Sequence, residues 1–514
     1  MMRRLFTTTL VLTGVCSFIF AQQNQGWCGT VGEHADAVME RLIANQEALA
    51  ENPIVFRDEV SFVPVKFHLI GRTDGTGVIS KHRVLDQLCD LNEDFASMDL
   101  QFYVRAGFNY IFNTTVYSNH ANTENTIMTF QRDNQAMNVF IPEDATPSNQ
   151  TGPGVVLGYY SPSKDWLVLA KFEVGRNAST VTHEVGHFFS LPHPFHGWEP
   201  NPWNLADHGN PVMQQIAPDG IRQVELVDRS NCATAGDRIC DTPVDYNFGF
   251  GWNNCNYTTQ VRDRNNDLID PEERLFMGYF LDCDEDDYIF SEDQQDLMVQ
   301  DYFSNSRAYL RNQPPANAAI INDTTDPAFP SNGQVLDYYN DVNLSWTASV
   351  GADAYLLQIS RVSTFTESLI IYDDFVYGIN KVIDFLEANK TYYWRVRPLN
   401  AYDACPSFTE TQSFTTGSLV STGEHKLVNN LKVSPNPAQS NMELRLEVES
   451  KSYFSGTINL YNAAGQMVKS FGQFDLSAGQ QMINLPLGQV AAGFYMVALE
   501  SEGGSVRERV VVTD

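Results

Sequence analysis

The stretch Thr180–His193, TVTHEVGHFFSLPH, puts three of the chain's ten histidines within eleven residues. On an α-helix, positions four apart share a face, so His183 and His187 can aim imidazole nitrogens at one ion. Glu184 lies beside that face, within reach of a water on the ion without being a ligand. His193 follows six positions after His187, so the helix must end and the chain turn back before a third imidazole can join. Three neutral histidines leave one tetrahedral position open, the arrangement of a catalytic zinc site. One zinc held there lowers the pKa of its water to about 7. Glu184 then takes the proton during attack on a scissile carbonyl and delivers it to the leaving amine, with no covalent enzyme intermediate. The competing reading, a surface helix with unligated histidines, leaves this clustering unexplained. His196, three residues further on, reads as a supporting or surface residue.

The surrounding texture is mixed α/β. FVPVKFHLI (residues 62–70), LQFYV (100–104), AMNVFI (136–141) and WLVLAKF (166–172) read as strands. KHRVLDQLCDLNEDFA (81–96) reads as an amphipathic helix, and EHADAVMERLIANQEALAEN (33–52) as an earlier one stopped by Pro53. A helix starting near Ser179 carries the histidine motif. A loop-rich, cysteine-bearing tail runs to residue 312, followed by the linker NQPPANAAIINDTTDP.

Beyond the linker come short alternating strands: VNLSWTAS, AYLLQISRV, TYYWRVRPL and TETQSFTT. Tyr355, Leu357 and Ile359 share one face, as do Tyr392, Trp394 and Val396, which suits a β-sandwich. The Trp346 and YYWRVRPL strands resemble the fibronectin type III pattern over residues 325–417, a module that more often spaces or binds than catalyses. After a second linker, VSPNPAQS, INLYNAAGQMV, LPLGQVAAGFYMVAL and ERVVVTD resemble the C-terminal sorting domain of the bacterial type IX secretion system, over residues 430–514. That resemblance implies export across two membranes, to the cell surface or the medium, and contact with the secretion machinery.

The histidine stretch itself resembles the extended zinc motif of the metzincins, and most of all that of their pappalysin family. By that likeness Met277, in RLFMGYFLDCDEDDYIFSEDQ, forms a methionine turn beneath the metal. Tyr279 is then a candidate to stabilise the transition state. NCATAGDRICDTPVD (231–245) is also similar to the pappalysin stretch between third histidine and methionine turn, so the likeness covers residues 60–312. One departure stands out: Ser190 replaces the motif's glycine. A left-handed residue is costly for serine, so either the turn differs or it holds modest strain.

The formal charge is −30, with no basic stripe, which argues against nucleic acid or an anionic membrane surface as a partner. MMRRLFTTTLVLTGVCSFIFAQQ has the layout of a secretory signal peptide over residues 1–21, and no later segment is apolar enough to span a membrane. Once Cys16 leaves with it, seven cysteines remain; Cys232, Cys240, Cys255 and Cys283 are dense enough for two disulfides, in any of three pairings. DRNNDLIDPEE places Asp263, Asn265, Asp267 and Asp270 at spacings suited to oxygen ligands but lacks an EF-hand's glycine and distal glutamate. A solvated acidic loop and a calcium site are the two readings; pappalysin relatives bind calcium. Cys28, Gly29 and Thr30 resemble the Cys-Gly-Thr of pappalysin pro-segments, without the preceding basic residue. The implied role for Cys28 is a thiolate on the open zinc position that keeps the enzyme latent; a disulfide with Cys89 or Cys405, or an unpaired thiol, are its alternatives.

The sequence thus predicts a multidomain chain: signal peptide, pro-segment (22–57), an α/β metzincin catalytic domain (58–312) and two all-β sandwich domains. The expected activity is zinc-dependent cleavage of protein or peptide bonds. A surface adhesin with a weakly active zinc domain and a zinc amidase are the rivals.

Overall fold

The computed structural model describes residues 26–51, 59–147, 155–252, 254–280, 283, 287–419, 427–462, 466–501 and 504–513. The expected signal peptide lies outside them. The chain forms two compact units, one of Met1–Ile321 with Leu399–Pro406 and one of Asn322–Pro398 with Ser407–Asp514.

The first unit is built on a mixed sheet. Strand β1 (Gly26–Cys28) precedes helix α1 (Glu33–Glu51); β2 (Ser61–Gly71) leads through α2 (Lys81–Asp94) to β3 (Leu100–Val104) and β4 (Asn109–Phe112). Then come β5 (Met137–Ile141), β6 (Val155–Ser161), β7 (Trp166–Leu169), α3 (Ser179–Phe188) and α4 (Glu292–Phe303). The order across the sheet is β1-β6-β7-β5-β2-β3, with β4 also on β2. β2, β3, β4, β5 and β7 run parallel, and β6 is antiparallel to β7.

Strands covered on both faces read as continuous apolar runs. β5 and β7 are buried at every residue. Pro64 is tolerated inside β2 because pairing with β5 begins only at Val65, leaving Pro64 flanked by β3 alone. Helix α2 turns Val84, Leu85, Leu88, Cys89 and Leu91 inward. Helix α4 opens with a capping box, in which Ser291 Oγ accepts from the Gln294 amide and the Gln294 side chain accepts from the Ser291 amide. β1 lies parallel on the outer edge of β6, so residues just ahead of α1 cover the sheet's open edge.

Disulfides join Cys89 to Cys405, Cys232 to Cys240 and Cys255 to Cys283. The first removes both disulfide alternatives for Cys28, which is a free, buried thiol.

In the second unit, a three-stranded sheet (Asn380–Ile383, Val342–Trp346, Pro327–Phe329) and a five-stranded one centred on Ala354–Ser360 and Thr391–Leu399 share one core. Trp346, Tyr355, Leu357, Ile359, Tyr392, Trp394 and Val396 fill it. A second pair of sheets contains Glu443–Ser450 and Gly493–Ser501 around a core that includes Leu444, Leu446, Ile458, Val497 and Leu499. No helix among the described residues is long and apolar enough to cross a membrane.

Candidate metal centre

Helix α3 begins at Ser179 and ends at Phe188, and every residue from Thr180 onward is buried. Its carboxyl end is held by Arg307, whose guanidinium donates to the Phe188 carbonyl and to Asp301 at 2.9 Å while stacking 3.6 Å over the Phe188 ring. Beneath the helix sits Met277, fully buried. A Cβ on Gly186 would come within 2.3 Å of the Met277 sulfur, so the thioether occupies the space glycine leaves between the two helical histidines. Gly186→Ala is expected to lower stability by about 1–3 kcal/mol, the usual cost of overpacking; an unchanged thermal melting midpoint would contradict this packing.

Ser190 keeps the turn that glycine would make. Its φ is +71°, its amide bonds to the His187 carbonyl at 3.0 Å and the Leu191 amide to Gly186 at 3.0 Å. The helix therefore ends in a left-handed residue, and the chain swings back to bring His193 to His187. The Ser190 hydroxyl accepts a 2.8 Å hydrogen bond from Asn45 on α1, and Asn45 also donates to Asp301 at 2.9 Å.

The sequence-selected groups converge. One ligand atom each from Cys28, His183, His187 and His193 lies within 4.8 Å of the others, and all four residues are buried. His187 Nε2 stands 3.2 Å from His193 Nε2 and 3.4 Å from Cys28 Sγ. A tetrahedral ion with bonds of about 2.0–2.3 Å holds its ligands about 3.3–3.8 Å apart, and these two spacings lie within about 0.1 Å of that range. The Nδ1 atoms are already engaged: His183 donates to the Phe276 carbonyl and His187 to that of Leu191, both at 2.6 Å. His183 Nε2 is buried without a partner. Burial holds the His183 imidazole down to about 3, and the other two also below the ordinary range, so all three are neutral, the form that binds a metal. The cluster could therefore hold one metal ion.

Around it stand the remaining candidates. Glu184 is fully buried; Thr30 Oγ1 donates to its Oε2 at 3.1 Å, and its Oε1 has no partner. Burial raises its carboxyl to about 8, opposed by hydrogen bonds from Cys28 and Thr30. Tyr279 lies edge-on to His193, ring centroids 5.0 Å apart, and its hydroxyl donates to the Cys28 carbonyl at 3.3 Å. Burial holds its phenol well above the usual range, so it remains a proton donor. His196 is buried and joins Glu199, a residue the sequence reading missed. Glu199 sits six residues past His193 in an irregular turn, where no periodicity flags it.

The acidic loop does not converge on the centre. Asp263 is buried, and its carboxylate accepts from the amides of Val227, Asn265 and Asp267, while Asn265, Asp267 and Asp270 are exposed. Among the described residues, the four-residue cluster alone brings three or more His, Cys, Asp or Glu ligand atoms together.

Comparison with known proteins places these features. Residues 432–513 match the family described as the secretion system C-terminal sorting domain. This type IX tail directs the chain to export machinery, and the protein is secreted or held at the cell surface. A protein of Verticillium alfalfae described as an extracellular metalloprotease is 25% identical over 271 residues, covering 48% of this chain and 82% of that protein. The relationship is distant and suggests a peptidase. Fibronectin(III)-like modules of Clostridium thermocellum CbhA superpose with a TM-score of 0.15 at 10% identity, over 37% of this chain and 93% of theirs. The chicken CNTN1 FN1–FN3 domains give 0.14 at 13% identity, over 37% and 69%. Superpositions this loose carry no argument, and the sandwich description rests on the strands and core given above.

Proposed function

We propose that this chain is a secreted zinc-dependent metalloendopeptidase of metzincin type, closest in motif to the pappalysins and held latent by residues 22–57. The carrying observation is the enclosed set of three imidazoles, each with Nδ1 engaged and Nε2 facing the others, with Glu184 beside them. A zinc ion bound there supplies Lewis acidity, acidifying water and polarising a carbonyl. Glu184 is the general base and then the acid toward the leaving amine. Tyr279 donates to a main-chain carbonyl inside the cleft, as it does to Cys28, and so steadies the charge that grows on a scissile carbonyl.

Latency follows from what fills the cleft. Cys28 offers its sulfur to the cluster, Thr30 bonds the general base, and β1 occupies the edge of β6 that an extended peptide needs. Ser190 in place of the motif's glycine is compatible with this reading, since the turn is formed and His193 stands beside His187.

The test is metal removal. After proteolytic release of the pro-segment, purified protein is expected to hold one zinc and to cleave denatured protein. A chelator should abolish cleavage and stoichiometric zinc should restore it. Protein that binds no metal tightly, or cleaves equally well without it, overturns the reading.

A further inference from the structure

An imidazole presents Nε2 to a metal only when Nδ1 carries the hydrogen, and that tautomer is fixed by what Nδ1 meets. For His183 and His187 the acceptor is a main-chain carbonyl. For His193 it is the Glu199 side chain, Nδ1 to Oε1 at 3.3 Å. The same Oε1 takes His196 Nδ1 at 3.2 Å, and Oε2 takes the Gly197 amide at 2.7 Å. The carboxylate thus sits inside the turn after the third histidine, where the His196 amide bonds back to the His193 carbonyl at 3.0 Å.

Two physical points follow. An ionised carboxylate only accepts, so both imidazoles facing Glu199 must donate from Nδ1. The Glu199 side chain is 11% exposed, and its two ion-pair contacts among the described residues are both imidazoles. A cation on the far nitrogen of His193 would supply a countercharge to this buried carboxylate.

We propose that Glu199 is the positioning residue of the metal centre: it fixes the His193 tautomer and ring orientation, raises the basicity of Nε2, and is itself held by His196 and the Gly197 amide. This rests on the metal-centre reading. Glu199 touches neither substrate nor reacting atoms; it acts through His193.

The test uses the full-length chain and two probes, Zn²⁺ affinity by chelator competition and the visible spectrum of Co²⁺ at the site. Glu199→Gln keeps shape but sets an amide N–H₂ against a donor, and Glu199→Ala removes the acceptor. Each is expected to weaken zinc binding about 10–100-fold and to shift the cobalt bands, with little change in the melting of the metal-free chain. Glu199→Asp is expected to recover part of the affinity. If Glu199→Ala fails to fold, Glu199→Gln carries the comparison. Wild-type affinity and an unaltered cobalt spectrum in Glu199→Gln would overturn the role of Glu199 while leaving the centre standing. A wild-type chain that binds neither ion overturns both.

Discussion

Glu184→Gln is expected to lower kcat/KM about 10²–10⁴-fold, the range that positioned general acid–base catalysis contributes, while leaving the bound metal in place. The two effects separate because Glu184 is outside the set of ligand atoms: the cluster is complete with Cys28 and three histidines. Glutamine matches the buried glutamate in shape, and its amide oxygen can still accept from Thr30, so the helix has no reason to shift. What it loses is the capacity to take a proton. The partnerless Oε1 fits a group waiting for a substrate or water contact that Thr30 does not supply. The measurement is cleavage of denatured protein by wild type and variant after identical activation, with zinc content determined for both. Equal cleavage would remove Glu184 as the base. Joint loss of metal and activity would instead make it part of the metal-binding framework.

How much of this was legible in the sequence depends on where the determinants sit along the chain. Helix α3 begins at Ser179 as the motif predicts, and β3 coincides with LQFYV, because each has a local pattern strong enough to decide its own structure. Strand β6 escaped notice: VVLGYYS has a glycine at its centre, and its position is set by neighbours on either side, β7 and β1. Helix α4 was missed although SEDQ, Ser291–Gln294, is a readable capping box. His183 and His187 could be read as a pair because a helix fixes their spacing. The supports could not, since Phe276 and Glu199 reach the histidines through irregular backbone. Ser190 shows the same limit. The sequence exposes the departure from glycine, but only the fold shows that the left-handed turn survives and that Asn45 takes the hydroxyl.

That last contact bears on the proposed latency. Residues 26–51 are held at two separate places. Near the centre are Cys28, Thr30 and the β1–β6 ladder. Along α1, Asp36 pairs with Arg222, Arg41 donates to the Tyr160 hydroxyl at 3.0 Å, and Gln46 donates to the Arg238 carbonyl at 2.7 Å. Asn45 completes that second hold on Ser190 and Asp301. Cys28→Ser should therefore give the uncut chain measurable activity, roughly tenfold above wild type if the thiolate's hold is worth about 1.4 kcal/mol, yet well short of the cut enzyme. Asn45→Ala removes two buried hydrogen bonds, one to a carboxylate, worth about 1–3 kcal/mol together. Alone it should leave latency nearly intact, because sulfur and Thr30 still block the cleft. Combined with Cys28→Ser it should multiply the gain, since α1 can then lift away. The readout is cleavage of a peptide substrate by full-length chains protected from self-processing by brief assay times. Activity in Cys28→Ser no higher than wild type would remove the sulfur from the latency mechanism. A double variant no more active than Cys28→Ser would show that α1 has no part in holding the cleft shut.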